Sequence, residues 1–220
     1  MERSLQPELL DSLSPDHPAA QRSRRDLRLI NRFMRTREWM TSELRLWLQP
    51  GERILELGAG AGELGSALNA AGMPVDGLDL WPRPSEWPAS ARWHREDLRT
   101  FSGYGDYAII IGSLIFHQFS DEELAGIGAR CRDARVILAS EPARWRRAQV
   151  FVRLVGPLVG ANYVTKHDAQ ISIKAGFIGD DLSRALTLDA ARWSWDCHAG
   201  GLGVYRMTAH RRIRPAVSPL

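Results

Sequence analysis

The sequence predicts a doubly wound α/β fold: a mostly parallel sheet of seven strands, with helices on both faces and an antiparallel C-terminal strand. Three observations carry this prediction. Short apolar segments alternate with segments of helical periodicity through the middle of the chain. A glycine-rich turn directly follows the first apolar segment. The fourth segment, DYAIIIGS, is apolar almost throughout, as a strand buried on both faces should be.

The predicted elements follow one another in a Rossmann-like order. We expect parallel strands at 53–57, 74–80, 91–97, 106–113 and 134–140, and a closing antiparallel hairpin at 192–198 and 202–211. Helices are expected from the glycine-rich turn to Gly72, from the Ser120–Glu123 capping box to about Arg132, and near 167–176, where Asp168 is expected at a helix start.

Four parts of the chain are distinguished by pattern. Residues 1–50 are predicted to form an N-terminal arm and a helical cap, with Asp16 capping the first helix. Residues 51–214 form the main α/β domain, and 215–220 form a tail. Within the main domain, segment 142–175 mixes arginines with an apolar run, and we expect it to be a lid over a ligand.

Composition limits the classes of protein to consider. The chain has 220 residues, 44% of them apolar and 25% charged, with a net charge of +3. Two separated cysteines suggest neither a disulfide framework nor a metal site, so no metal is predicted. No signal-peptide core and no membrane-spanning stretch is evident, so a cytoplasmic location is expected. Only two of the 29 basic residues are lysine, and we give the small excess of positive charge little weight as a sign of nucleic-acid binding.

The glycine-rich turn, ILELGAGAGELG, can be aligned in two registers. Gly60 to Gly65 fits G-x-G-x-x-G, the pattern of dinucleotide sites, whereas Gly58 to Gly62 fits G-x-G-x-G. Both registers bring the backbone and a helix N-terminus close to a ligand. Asp79, at the end of the second predicted strand, can accept hydrogen bonds from ribose hydroxyls of either kind of cofactor.

Three features favour the G-x-G-x-G register, Gly58 to Gly62. Glu56 lies within the first strand, where a carboxylate would repel a pyrophosphate but tolerate a sulfonium or an ammonium group. Asp97 follows the third strand, where its carboxylate can accept from an adenine amine while the Leu98 amide faces a ring nitrogen. About 50 residues precede the turn, whereas many dinucleotide-binding domains begin close to theirs.

At this point the chain resembles class I S-adenosylmethionine (SAM)-dependent methyltransferases of the small-molecule type. LELGAGAG is similar to the first motif of that family, GLDL to the second and EDL to the third. AIIIGSLIFHQFSDEEL and RVILASEP resemble its fourth and fifth strands with their loops. The resemblance covers about residues 53–142, and its strength lies in the order and spacing of the motifs.

The resemblance implies a role for each motif, with SAM as cofactor and S-adenosylhomocysteine (SAH) as product. Glu56 would orient the methionine end of the cofactor, Asp79 would hold its ribose, and Leu80 and Trp81 would flank and stack on the adenine. The remaining cofactor-binding residues would be those of the glycine loop, the adenine edge and the pocket beside the methyl group: Gly58, Ala59, Gly60, Gly62, Asp97, Leu98, Gly112 and Ser113.

His117, in the loop after the fourth strand, is the candidate catalytic base for removing a proton from the acceptor. We expect a small hydrophobic or aromatic acceptor and O-methylation by direct displacement, by a monomer or a homodimer. The position of the [ND]-P-P-[YFW] motif of nucleic-acid amino-methylating members reads GSLI here, which makes nucleic acid an unlikely acceptor.

Other interpretations stay open at this stage. Seven arginines between Arg22 and Arg37 allow an RNA or protein methyltransferase, for which substrate binding would depend strongly on salt. A nicotinamide-dependent oxidoreductase and a catalytically silent binding subunit are weaker alternatives. His167 beside Asp168 is a weaker candidate catalytic pair than His117.

Overall fold

Seven strands form one sheet in the computed structural model, which describes residues 1–13, 17–19, 22–23, 25–26, 34–158, 162–200 and 203–212. The strands are β1 (Ile54–Leu57), β2 (Val75–Asp79), β3 (Trp93–Arg95), β4 (Ile109–Ser113), β5 (Val136–Pro142), β6 (Trp193–Gly200) and β7 (Val204–Arg211). The helices are α1 (Leu9–Ser12), α2 (Thr36–Trp47), α3 (Glu63–Ala70), α4 (Asp121–Arg130), α5 (Arg146–Leu158), α6 (Tyr163–Ala175) and α7 (Asp181–Ala185). Short 3-10 turns occur at Gly103–Asp106, Phe116–Gln118 and Cys131–Asp133.

The order of strands in the sheet is β3-β2-β1-β4-β5-β7-β6. Only β7 runs antiparallel to its neighbours, and the other pairs are parallel. The chain direction across the sheet reverses between β1 and β4, and ligands of open α/β sheets bind beyond the carboxyl ends of the strands at such a point. The predicted fold class is therefore confirmed, and the sheet places the glycine-rich turn at this crevice.

Alternating apolar side chains of the strands supply a separate core on each face of the sheet. Ile109, Ile111 and Leu138 pack with Met40 and Leu44 of α2 on one face, where α3 also lies. Residues of the opposite parity pack against α4, α7 and the segment after α6 on the other face: Leu55, Ile110, Ile137, Leu124, Ile127, Phe177 and Leu182. Because both faces of the central strands are buried, their sequences are apolar without interruption.

The N-terminal arm, residues 1–13, folds back along the carboxyl edge of the sheet. The Arg3 guanidinium donates to the carbonyls of Phe119 and Ala175 at 2.7 and 2.8 Å and pairs with Asp121 at 2.7 Å. The backbone amides of Leu9 and Leu10 donate to the Asp168 carboxylate at 2.8 and 3.0 Å. These contacts join the arm to α4 and α6.

Several boundaries differ from the predicted ones. Asp168 lies inside α6 rather than at its start, and its carboxylate caps α1, far away in the sequence. The third strand has three residues, Trp93–Arg95, and is shorter than the predicted 91–97. Helix α2 begins after Arg35, which has a left-handed backbone conformation. The predicted helix cap at Asp16 lies outside the described residues.

Other predictions of local structure are confirmed. Ser120 and Glu123 form a reciprocal capping box, and Gly72 takes the positive φ of +83° expected after a helix. The lid formed by segment 142–175 stays a prediction: the segment contains α5 and α6, and residues 159–161 between them lie outside the described part of the chain. No helix among the described residues has the length and apolar character needed to cross a membrane.

Candidate functional site

The glycine-rich turn forms the floor of the candidate site. Gly58, Gly60 and Gly62 have φ of +63°, +54° and +75°, a region that L-residues with side chains seldom adopt. A Cβ atom at Gly58 would lie 2.6 Å from the Ile115 side chain, so this position needs glycine for space as well as for conformation. The turn leads into α3, and its backbone therefore lies beside the N-terminus of a helix. Ala59 is buried between the glycines.

Glu56 is buried beneath this turn. Its side chain lies on the face of the sheet covered by α3, where Oε2 would be 2.5 Å from a Cβ atom at Gly65. Oε2 has no hydrogen-bond partner, and no basic side chain of the described residues forms an ion pair with Glu56. Burial raises the pKa of this carboxyl to about 8, against the effect of the Gly65 amide. A cationic ligand group nearby would return Glu56 to its charged form.

Asp79 ends β2 with its carboxylate turned towards the glycine-rich turn. Oδ2 accepts a hydrogen bond from the Gly60 amide at 2.7 Å, and Oδ1 accepts one from the Trp81 amide at 2.8 Å. Each oxygen keeps a lone pair for a further donor such as a ribose hydroxyl. The side chains of Leu80 and Trp81 are 64% and 47% exposed, so both present apolar surface next to this carboxylate.

Asp97 has a partner that the sequence did not suggest. The Arg99 guanidinium donates to both of its carboxylate oxygens, at 2.6 to 3.0 Å, and also pairs with Glu123 at 2.7 Å. The hydrogen bond from Arg99 holds the pKa of Asp97 below its ordinary value. Leu98 is buried directly after it. An adenine amine at this position would therefore share the carboxylate with Arg99.

Gly112 and Ser113 end β4, opposite Leu57 of β1 and Ser140 of β5 respectively. A Cβ atom at Gly112 would lie 2.5 Å from the Phe116 ring, so the loop after β4 packs tightly on the strand end. Leu114, the first residue of that loop, has φ of +56°, an uncommon conformation for a residue with a side chain. The pairing of β4 with β1 thus brings Gly112 next to the strand end from which the glycine-rich turn leaves, and the shared pocket stays a prediction.

His117 lies between two carboxylates. Nδ1 is 2.7 Å from Glu141 Oε2, and Nε2 is 3.5 Å from Glu8 Oε1 of the N-terminal arm. Glu141, which is fully buried, also accepts hydrogen bonds from the backbone amides of Ile115, Phe116 and His117 at 2.9 to 3.3 Å. We refer to Glu8, His117 and Glu141 as the buried carboxylate–imidazole cluster.

The charge state of this cluster decides what His117 can do. Burial alone would lower the pKa of the imidazole, but the hydrogen bonds that its ring nitrogens donate to Glu141 and Glu8 outweigh burial and raise the pKa to about 9. An imidazole with both nitrogens protonated cannot accept a proton at neutral pH. A raised pKa favours a positioning role for the ring, which ties the loop after β4 to the arm, and the role of His117 as a base stays a prediction.

Two members of this cluster, Glu8 and Glu141, were not among the predicted site residues. A glutamate in the otherwise apolar run of β5 is a signal for Glu141, because a buried charge needs a partner. Nothing in the sequence around Glu8 indicates its contact with a residue more than 100 positions away. Among the described residues, no group of three or more His, Cys, Asp and Glu side chains is arranged to hold a metal ion.

Comparison with solved structures shows what this arrangement is similar to. The plantazolicin methyltransferase BpumL, in complex with a triazolic desmethylPZN analog and SAH, matches with a TM-score of 0.68 and 11% identity over 93% of each chain. Magnesium protoporphyrin IX methyltransferase (ChlM) from Synechocystis PCC 6803, with bound SAH, matches with a TM-score of 0.53 and 16% sequence identity. The match covers 82% of this chain and 83% of that one. A TehB-like SAM-dependent methyltransferase from Corynebacterium glutamicum matches with a TM-score of 0.53 and 14% sequence identity. The match covers 78% of this chain and 86% of that one.

No protein-family model and no curated protein sequence matches the chain. The solved structures match most of the chain. Because the sequence identities are low, this similarity is evidence for the fold alone. The chain therefore has the fold of the class I SAM-dependent methyltransferases, as the motifs between residues 53 and 142 predict.

Proposed function

We propose that the chain is a SAM-dependent methyltransferase that acts on a small molecule. The observation that carries this proposal is the buried Glu56 carboxyl beside the glycine-rich turn, with an oxygen that has no partner. A cofactor with an ammonium and a sulfonium group would supply the missing positive charge. A pyrophosphate would instead add negative charge next to an acid that already has a raised pKa.

We assign residues of the crevice to each part of such a cofactor. We assign the methionine end to Glu56 and the glycine loop, and the ribose to Asp79, because these groups meet at the carboxyl ends of β1 and β2. The exposed Leu80 and Trp81 are assigned to the adenine ring, and Asp97 and the Leu98 amide to its polar edge. Gly112 and Ser113 border the reacting methyl group in this assignment.

When bound, SAM supplies a methyl group on a sulfonium, which passes to the acceptor while the carbon–sulfur electron pair stays on the sulfur of SAH. The protein contributes mainly by aligning the acceptor atom with the methyl group. Because His117 is held as a cation, we propose an acceptor oxygen that is ionised without help from that ring, and we assign His117 to positioning the loop after β4.

We propose a small hydrophobic or aromatic acceptor, covered by α5, α6 and the N-terminal arm. The amphipathic α5 directly follows β5, at the mouth of the crevice, and the arm lies across α6. Two of the similar structures are methyltransferases named for plantazolicin and for magnesium protoporphyrin IX, and these acceptors support the small-molecule class.

The proposal is tested by supplying SAM with a radiolabelled methyl group to the protein in a cell extract. We expect a labelled low-molecular-mass product that chromatography separates from SAM, and no such product when heat-denatured protein is used. Label confined to RNA or to protein would contradict the small-molecule acceptor and favour the alternative use of the arginine-rich region. An absence of any transfer, together with binding of SAH, would instead indicate a silent binding subunit.

Replacing Asp79 with alanine is expected to weaken binding of SAH by about 1–3 kcal/mol, which is about 5- to 150-fold in the dissociation constant, because the ribose hydroxyls lose their acceptor. The Asp79→Asn variant keeps one acceptor oxygen and should lose less. Isothermal titration calorimetry measures both, with Asp106→Ala as the control at an exposed turn. An unchanged affinity in Asp79→Ala would remove this residue from the site.

A further inference from the structure

We infer that Arg206 forms a subsite for a carboxylate group of the methyl acceptor, with Arg35 beside it. The inference rests on the proposed function, because it names the class of acceptor for the same crevice. It is carried by a guanidinium that forms no ion pair with a carboxylate of the described residues, at the end of the sheet that the proposed cofactor leaves free.

Arg206 lies on the acceptor side of the crevice. It is opposite Ser140 in the pairing of β5 with β7, and Ser140 is opposite Ser113 in the pairing of β4 with β5. Residues opposite one another in a ladder point to the same face, so all three side chains lie on one face of the sheet. The residues assigned to the cofactor belong to β1, β2 and β4, and to the turns that follow β1, β2 and β3. The ends of β5 and β7 are therefore the neighbouring surface on which an acceptor can lie.

The guanidinium of Arg206 has fewer partners than its burial requires. Nη2 donates to the carbonyl of Met34 at 2.9 Å, whereas Nε is buried and has no acceptor. Among the described residues, no carboxylate forms an ion pair with it. Burial, and then the nearby charge of Arg35, lower the pKa of Arg206, and the attraction of Glu43 does not offset them. Glu43 accepts hydrogen bonds from Thr208 and Trp47 instead.

Other arginines near the sheet show what a compensated guanidinium looks like in this protein. Three partly buried arginines each bind a carboxylate directly: Arg53 with Asp76, Arg135 with Glu52, and Arg144 with Asp181. Arg211, on the same strand as Arg206, has its Nε bound to the carbonyl of Ala134 and leaves no buried nitrogen without a partner. The absence of an acceptor at Arg206 is therefore not the general pattern of the described arginines.

The surroundings of Arg206 suit a planar anion attached to an apolar body. Its guanidinium carbon lies 5.2 Å from the centre of the Trp39 ring, which restricts the orientation of the side chain. Thr36 and Ser140 form a buried hydroxyl pair at 3.2 Å on the same face. A guanidinium binds a carboxylate through two parallel hydrogen bonds, which a lysine ammonium cannot reproduce. We therefore assign a carboxylate-bearing acceptor, preferably an aromatic one.

The first test compares binding of benzoate and of its neutral analogue benzamide by NMR titration, with SAH present and without it. We expect wild-type protein to bind benzoate at least about 10-fold more tightly than benzamide. Arg206→Gln should remove this preference, Arg206→Lys should retain only part of it, and Arg211→Gln should keep it. Equal binding of both probes to the wild type, or a preference that survives in a folded Arg206→Gln protein, would overturn the subsite. If Arg206→Gln does not fold, full benzoate preference in Arg206→Lys would overturn the bidentate contact.

The second test identifies whose carboxylate is bound, since SAH carries one as well. SAH and methylthioadenosine, which lacks the amino-acid portion, are titrated into wild-type and Arg206→Gln protein. We expect the substitution to leave both affinities unchanged within about twofold. Weaker binding of SAH alone would assign the contact to the cofactor and overturn the acceptor subsite. Failure of wild-type protein to bind SAH would contradict the proposed function, whereas the benzoate comparison without SAH would still decide the anion site.

Discussion

Replacement of Glu141 with alanine is expected to lower the free energy of unfolding by about 3–5 kcal/mol. This carboxylate is fully buried and accepts hydrogen bonds from the backbone amides of Ile115, Phe116 and His117. Its removal leaves those amides without an acceptor and leaves the buried imidazolium of His117 without its nearer counter-ion. Breaking a buried pair on one side costs more than the pair contributes as a whole, because the remaining charge stays buried.

Urea unfolding followed by circular dichroism at pH 7 measures this loss. The matched control is Glu123→Ala, since Glu123 is also a glutamate with a backbone amide and an ion-pair partner, but it lies at the exposed start of α4. Its loss should cost about 1 kcal/mol, as for a helix cap and a surface pair. An equally small loss of unfolding free energy in both variants would contradict a strong contribution of the buried carboxylate–imidazole cluster to stability.

The contribution of His117 to stability is expected to disappear as pH rises. The groups that face its ring are Glu141 from β5 and Glu8 from the arm, and the Arg3 guanidinium lies 3.5 Å from its backbone carbonyl. The folded-state pKa of about 9 is above the ordinary value of 6.5, so the folded protein holds this proton more tightly than the unfolded chain. The stabilisation is therefore complete below about pH 6.5 and is lost as pH rises through about 9. Its ceiling is about 3 kcal/mol.

This pH dependence is measured as the difference in unfolding free energy between wild type and His117→Gln, from pH 6 to pH 9.5. The difference is needed because Glu56, with a pKa raised to about 8, also makes the folded protein less stable as pH rises from about 4.5 to 8. That contribution is common to both proteins and cancels. Parallel stability curves for the two proteins would show that His117 is not held as a cation between the two carboxylates.

Local patterns in the sequence were sufficient to predict the sheet and the crevice. The apolar run of β4, the capping box at Ser120 and the positive φ of Gly72 each depend on residues within a few positions of one another. The glycine-rich turn and Asp79 also follow local rules, because each directly follows a strand. These features therefore carried the prediction of the fold and of the proposed cofactor-binding residues.

Contacts between distant parts of the chain were not predictable in the same way. Asp168 was expected to start its own helix, yet its carboxylate caps α1, because the capping rule does not specify which helix a side chain reaches. Glu8 meets His117 only after the arm has folded across α6. Whether Arg206 has a partner likewise depends on the folded protein, and its Nε has no acceptor among the described residues. A sequence lists these charges without showing which of them are paired.

The central claim is that the crevice binds SAM rather than a nicotinamide dinucleotide. Thermal melting in the presence of SAH, NADH or NADPH tests it most directly. A ligand present at about 100 times its dissociation constant stabilises the folded state by about 2.7 kcal/mol. At this chain length that is expected to raise the melting temperature by about 5–10 °C. We predict this rise with SAH and none with either nicotinamide nucleotide. A rise with NADH or NADPH and none with SAH would contradict the account and favour the dinucleotide register of the glycine-rich turn.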